Sequence, residues 1–235
     1  MLQVDVAVSK IAKYATQESG DTLEMVDRPH GGVSFILADG QRSGRGAKRI
    51  SNIVARKAMI LLAEGVRDGA AARAAHDYLY THRQGQVSAT LNIASVDLVT
   101  HTLVLSRNSH CPVYILTRGG LQTLDEPSQP VGVYRNTKPL VTEMPLEAPT
   151  VVVIFTDGLQ NAGKRLGSPF DVATLLTEIP LEDISSARVI ADMLFDRAYQ
   201  LDDTRPTDDI SILVLTVLDR PASRAGRHLH VTIPF

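Results

Sequence analysis

The sequence predicts an α+β fold, and three observations carry the prediction. Leu2, Val4, Val6 and Val8 alternate with polar or small neighbours at the start of the chain, the pattern of a half-buried strand. Two segments with helical spacing, 47–64 and 68–82, then follow one another. From Val87 the apolar period drops from about 3.6 to 2, and residues 87–124 break into four short strands at Asp97, Asn108 and Arg118-Gly119-Gly120.

In chain order, the first strand gives way to a loop carrying Glu18-Ser19-Gly20-Asp21. An apolar run from Val33 to Ala38 ends in Asp39-Gly40, so a buried strand delivers a carboxylate into a tight turn. The helix at 47–64 starts just after that Gly-rich turn, with Ile50, Ile53, Val54, Ala58, Ile60, Leu61 and Leu62 toward its apolar side. The Ala-rich helix at 68–82 is expected to pack beside it as a hairpin on one side of a sheet. The four strands of 87–124 form an antiparallel meander. Gln129-Pro130-Val131-Gly132 is irregular, 138–144 is a further strand, and TVVVIFT at 150–156, apolar nearly throughout, is a central strand covered on both faces. It runs directly into Asp157-Gly158. Helices are expected at 169–178 and 185–201, the second with Val189, Ile190, Met193, Leu194 and Ala198 on one stripe. Asp208 and Asp209 then open a last apolar strand, 210–217, and residues 219–235 form a basic, proline-broken tail with a core role at most for Val231 to Ile233.

Composition narrows the class of molecule. A chain of 235 residues, 44% hydrophobic, can bury a substantial core in one domain. Its 24 basic and 26 acidic residues are mixed and leave a net charge of -2, which gives no nucleic-acid footprint. The single Cys111 cannot form an internal disulfide, the N-terminus has no leader pattern, and no apolar run approaches the roughly 18 residues that span a bilayer. A cytoplasmic protein without a membrane anchor is expected.

The acids fall at informative places: Asp21 in an early loop, Asp39 and Asp157 after apolar strands, Asp208 and Asp209 before another. Asp-Gly is a common turn dipeptide, and Asp68-Gly69, with no strand before it, serves as an internal control that we assign to a turn and helix cap. Gathering carboxylates is costly, since two unit charges about 4 Å apart repel by about 4 kcal/mol at an effective dielectric of 20. A cluster therefore calls for cations, and oxygen donors without His or Cys at metal-ligand spacing favour Mg²⁺ or Mn²⁺. Two such ions activate a water for attack on phosphate, so phosphoester hydrolysis is the expected reaction.

The ordered set Ser19-Gly20-Asp21, Ala38-Asp39-Gly40 with Ser43-Gly44, Phe155-Thr156-Asp157-Gly158-Leu159 and Asp208-Asp209-Ile210-Ser211 resembles the metal-dependent type-2C (PPM) protein phosphatases. Within them it is most similar to the bacterial branch typified by stage II sporulation protein E and the phosphatases of sigma-factor partner switching. Ser88-Ala89-Thr90, Asn108-Ser109-His110-Cys111-Pro112 and Pro130-Val131-Gly132 support the match. The resemblance implies a phosphatase domain over residues 1–218 built as a four-layer α-β-β-α sandwich of two antiparallel sheets flanked by helices. It also implies a site for two Mn²⁺ or Mg²⁺ ions: Asp39 bridging both, the Gly40 carbonyl on one, Asp157 and Asp208 as further direct ligands, Asp21 near the second metal, and Asp209 as a supporting group or ligand to a third. The implied substrate is phosphoserine or phosphothreonine in a regulatory protein such as an anti-sigma-factor antagonist. The helices of 44–83 are implicated in switching.

Two departures stand out. Eukaryotic relatives carry a His, proposed as a general acid, where this chain has Gln41, and an early phosphate-binding Arg where it offers only Lys10 and Lys13. Arg42 and Arg45 either take over the phosphate contact or form the solvated start of a helix. His110 is assigned to a turn, His30, His76, His82 and His101 show no paired spacing, and Cys111 is expected as a small buried hydrophobe. Two alternatives remain: a binding module of the same fold without turnover, and a haloacid-dehalogenase-like phosphatase, which wants a second Asp where Gln41 stands.

Overall fold

A computed structural model describes residues 1–29, 31–221 and 226–232; His30 and Ile233 lie outside the described residues. Ten strands form two antiparallel sheets. One sheet contains β1 (Leu2–Ile11), β10 (Ile210–Asp219), β9 (Thr150–Phe155), β6 (Val113–Thr117) and β7 (Gly120–Leu124), in that order. The other contains β2 (Asp21–Asp27), β3 (Val33–Gly40), β4 (Ala89–Asp97), β5 (Thr102–Asn108) and β8 (Leu140–Pro145).

Side-chain alternation accounts for the layering. Phe35, Leu37, Ala94, Val96, Leu103 and Leu105 of the second sheet meet Val113, Ile115, Val152, Ile154, Leu213 and Leu215 of the first in a core between the sheets. Neighbours of opposite parity, Ile36, Ala38, Leu91 and Ile93, face the helices α1 (Gly44–Ala63) and α2 (Asp68–Arg83). On the far side, Val151, Val153, Phe155, Ile212 and Val214 pack with α3 (Asp157–Asn161), α4 (Val172–Thr177) and α5 (Ala187–Leu201). The result is the four-layer α-β-β-α sandwich. β9, buried along its whole length at the centre of its sheet, meets the expectation for a strand covered on both faces, and α1 and α2 form the expected hairpin on one sheet.

Four expectations change. Asp21 does not sit in a loop but begins strand β2, whose alternation is weak in the sequence because Thr22 and Glu24 soften the face turned toward α1. The meander is split: β4 and β5 pair in one sheet, β6 and β7 in the other, and the 109–112 segment carries the chain across. On α5, Val189 and Met193 are exposed, and the buried stripe runs through Ala187, Ile190, Ala191, Leu194 and Ala198. Small alanines, which score weakly as apolar, mark the true contact face. In the tail Val231 is 67% exposed and takes no part in the core, while β10 extends through Asp219.

Candidate functional site

One end of the sandwich collects the strand-terminal acids. Asp21 and Asp39 are directly opposed in the β2–β3 register. Asp157 begins α3, immediately after β9, and Asp208 lies two residues before β10. Close backbone approach fixes both Asp-Gly turns. A Cβ on Gly40 would lie 2.0 Å from the Ala47 carbonyl oxygen of α1, and one on Gly158 would lie 2.1 Å from the Asp209 carbonyl oxygen. Glycine is therefore required where α1 presses onto the end of β3 and where α3 presses onto the entrance to β10.

Asp21 is fully buried. Its Oδ2 accepts hydrogen bonds from Ser211 Oγ at 2.6 Å and Thr156 Oγ1 at 3.0 Å, whereas its Oδ1 is buried with no partner. Burial pushes its carboxyl up to about 6, against the opposing effect of the Ser211 hydrogen bond. Asp39, half-buried, is pushed up to about 9, first by burial and then by the charges of Asp21 and Asp157, with Asp208 also contributing. Asp208 is raised as well, chiefly by burial, although it accepts the Asp209 N–H at 2.9 Å.

Asp209 is used differently. Its Oδ1 accepts the Lys13 N–H and its Oδ2 the Gly20 N–H, both at 2.8 Å. It thus ties the ends of β1 and β2 to β10 while remaining 3% exposed. Lys10 and Lys48 both donate to the Asp21 carbonyl oxygen at 2.5 Å, and burial followed by the Lys48 charge lowers Lys10 to about 8. Ser51 of α1 donates to the Gly20 carbonyl, so α1 grips the backbone that presents Asp21.

Gln41 faces away from any acid-base role: its backbone N–H and side-chain Oε1 pair with Ser88. Arg42 and Arg45 are exposed, Arg42 in the left-handed region at φ 73°, and among the described residues neither bonds to the carboxylates. His110 reaches the cluster from the β5–β6 crossing, with Nε2 3.9 Å from Asp157 Oδ2 and its side chain 58% exposed. Cys111 is buried and its thiol is pushed up to about 12 by burial, the behaviour of an inert packing group.

The sequence reading assigned no role to Thr156, Ser211, Lys48 or Ser51. Ser211 could have been found from its place one residue inside β10, just beyond the Asp208-Asp209 pair that opens the strand. The Lys48 and Ser51 contacts depend on how α1 lies across β2, which local pattern does not reveal.

No three His, Cys, Asp or Glu side chains among the described residues already converge to enclose an ion. The donor set nevertheless fits hard divalent cations. All candidate donors are oxygens, Asp21 Oδ1 is orphaned, and Asp39 carries the field of three neighbouring carboxyls with no cationic side chain hydrogen-bonded to it among the described residues. Asp39, Asp157, Asp208, the Gly40 carbonyl and Asp21 are the groups available to such ions.

Comparison with known proteins places the family and agrees with the fold. The family model for Stage II sporulation protein E (SpoIIE) matches residues 29–218. The Stage II sporulation protein E of Priestia megaterium is 20% identical over 216 residues, which is 90% of this chain and 36% of that protein. The chain thus spans about a third of the length of this curated relative. Among solved structures, the PP2C phosphatase domain of SpoIIE from Bacillus subtilis, with a fragment of its regulatory domain, superposes with a TM-score of 0.78 at 18% identity, covering 94% of this chain and 65% of that one. The catalytic domain of the serine/threonine phosphatase PstP, in complex with two manganese ions, gives 0.67 at 17% identity over 93% of this chain and 100% of that one.

Proposed function

Because this chain belongs to the stage II sporulation protein E family, we propose that it is a metal-dependent phosphatase that hydrolyses phosphoserine or phosphothreonine in a regulatory protein, such as an anti-sigma-factor antagonist. One observation carries the reading: carboxylates from four separate strand ends lie at one end of the sandwich, and the fold supplies neither a partner for Asp21 Oδ1 nor a hydrogen-bonded cation for Asp39 among the described residues.

Asp39, opposed to Asp21 in the β2–β3 register and close to Asp157 and Asp208, would hold such ions together with those carboxylates and the Gly40 carbonyl. When bound, two Mn²⁺ or Mg²⁺ ions would supply a water of lowered pKa and offset the charge of the phosphate. The chain's own contribution is orientation. Ser211 and Thr156 hold one oxygen of Asp21, which leaves the other free, and the Asp209 clamp fixes the ends of β1 and β2 against β10. Arg42 and Arg45, exposed beside the Asp39-Gly40 turn, are the candidate contacts for the substrate phosphate. Gln41 cannot supply a proton to the leaving oxygen, so slow turnover is expected with poor leaving groups.

The test is hydrolysis of an aryl phosphate by the full chain with Mn²⁺, Mg²⁺ or chelator, comparing wild type with Asp39→Asn and Asp157→Asn. The expected result is metal-dependent turnover that falls by at least about 100-fold in either variant. Turnover in chelator, or full activity in both variants, would sink the reading.

A further inference from the structure

Helix α1 carries five cations, Arg45, Lys48, Arg49, Arg56 and Lys57, and no acid, in a chain whose net charge is -2. Two of the five are engaged inside the fold: Lys48 on the Asp21 carbonyl and Thr22 Oγ1, and Lys57 over the Tyr78 ring at 5.6 Å. The other three, Arg45, Arg49 and Arg56, are exposed and fall within about 40° of one another around the helix, along about 16 Å of its length. Among the described residues none of the five makes an ion pair. With Arg42 in the preceding turn they form a line of guanidinium groups that leads away from the Asp39-Gly40 turn.

This arrangement works against the helix that bears it. Cations in the first turn, such as Arg45, oppose the helix dipole. The neighbouring α2 has the favourable polarity, with Asp68 in its first turn and His82 and Arg83 in its last. Among the described residues no acidic side chain pairs with Arg45, Arg49 or Arg56, so an external anion is a fitting complement. The line is short, equal to about five residues of extended peptide, and its head lies at the Asp39-Gly40 turn, at the end of the sandwich that carries the carboxylates. A nucleic-acid backbone running along it would be driven into those carboxylates, whereas a peptide can place a run of acids on the arginines and a single phosphorylated residue at the site.

We infer that the outer face of α1 docks an acidic segment of the phosphorylated protein, about five residues long and lying to one side of the phosphoresidue, through Arg49 and Arg56. The inference rests on the phosphatase reading and assigns a substrate class to that site.

Fluorescein-labelled peptides containing a non-hydrolysable phosphonate analogue of phosphoserine, flanked on one side by five acidic or five neutral residues, test it by fluorescence anisotropy in Mn²⁺. The acidic peptide, with its acids on whichever side is preferred, should bind the chain about 10-fold more tightly than the neutral one, and the preference should fade as salt rises. The double variant Arg49→Glu, Arg56→Glu should erase the preference while leaving its circular dichroism and its aryl phosphate hydrolysis unchanged. Equal affinity for acidic and neutral peptides in wild type, or a preference that survives charge reversal, overturns the inference. Stronger competition by a single-stranded oligonucleotide than by the acidic peptide overturns it in favour of nucleic acid. Loss of aryl phosphate turnover in wild type with the acidic preference intact defeats the phosphatase reading and leaves the docking face standing.

Discussion

Asp21 and Asp68 are both buried carboxylates beside α1 and α2, and the fold treats them in opposite ways. Asp68 Oδ2 accepts from Arg28 Nη1 at 2.7 Å and its Oδ1 from Ser95 Oγ. Ser95 shares a hydrogen bond with Ser34 at 2.6 Å, and Arg28 also reaches the Val66 carbonyl at 3.3 Å. Every charge there has a partner within the chain, so this is an anchor that fixes the start of α2 to the sheet. Asp21 has hydroxyl donors on one oxygen and no hydrogen-bond partner on the other, and among the described residues no cationic side chain pairs with the carboxylate of Asp39 opposite. A buried carboxylate with an internal cation holds the structure together, whereas one without a cation calls for one from outside.

The largest effect on stability is expected at the Asp68 anchor. Asp68→Ala leaves Arg28 buried without its counter-charge and should cost about 3–5 kcal/mol in urea unfolding, while Mn²⁺ affinity measured by calorimetry on the folded variant stays close to wild type. A comparable loss of metal affinity would mean that the two regions are not separate. At the other end, Asp39→Asn should have the opposite signature. Metal affinity should fall by at least about 100-fold. Yet the metal-free variant should be more stable than wild type by at least about 1 kcal/mol at neutral pH, because a tenfold difference in proton affinity between the folded and unfolded chains corresponds to about 1.4 kcal/mol.

The sign follows from linkage. The folded-state pKa of Asp39, about 9, lies above its unfolded value of 3.8, so between these values the folded chain holds a proton that the unfolded chain has lost. Stability of the metal-free protein therefore falls as pH rises through that window and levels off above about 9. Thermal melts in chelator from pH 5 to 9 should show a steeper decline for wild type than for Asp39→Asn; parallel slopes would remove the electrostatic argument. The smallest effect is expected for Ser211→Ala, which takes one donor from Asp21 Oδ2. Metal affinity should weaken by about 10-fold with little change in fold stability, and an unchanged calorimetric isotherm would show that the hydroxyl does not orient Asp21.

What the sequence by itself determined was local and periodic. The apolar runs that end in Asp39 and Asp157, the paired acids before β10 and the helical spacing of α1 and α2 are properties of neighbouring residues, and they place carboxylates at strand ends whatever the surrounding architecture. The same dipeptide, Asp-Gly, occurs at 39, 68 and 157, and the absence of a preceding strand already separated the one at 68. Its burial against Arg28, 40 positions away, could not be seen that way. Only the tertiary structure decided that β5 and β6 part into different sheets, that Asp209 spends both oxygens on the Lys13 and Gly20 amides, and that Asp21 keeps one oxygen unpartnered. Each of these depends on contacts between segments far apart in the chain. Periodicity states which face of an element is apolar, but only chain packing determines which distant group that face, or the acid at its end, will meet.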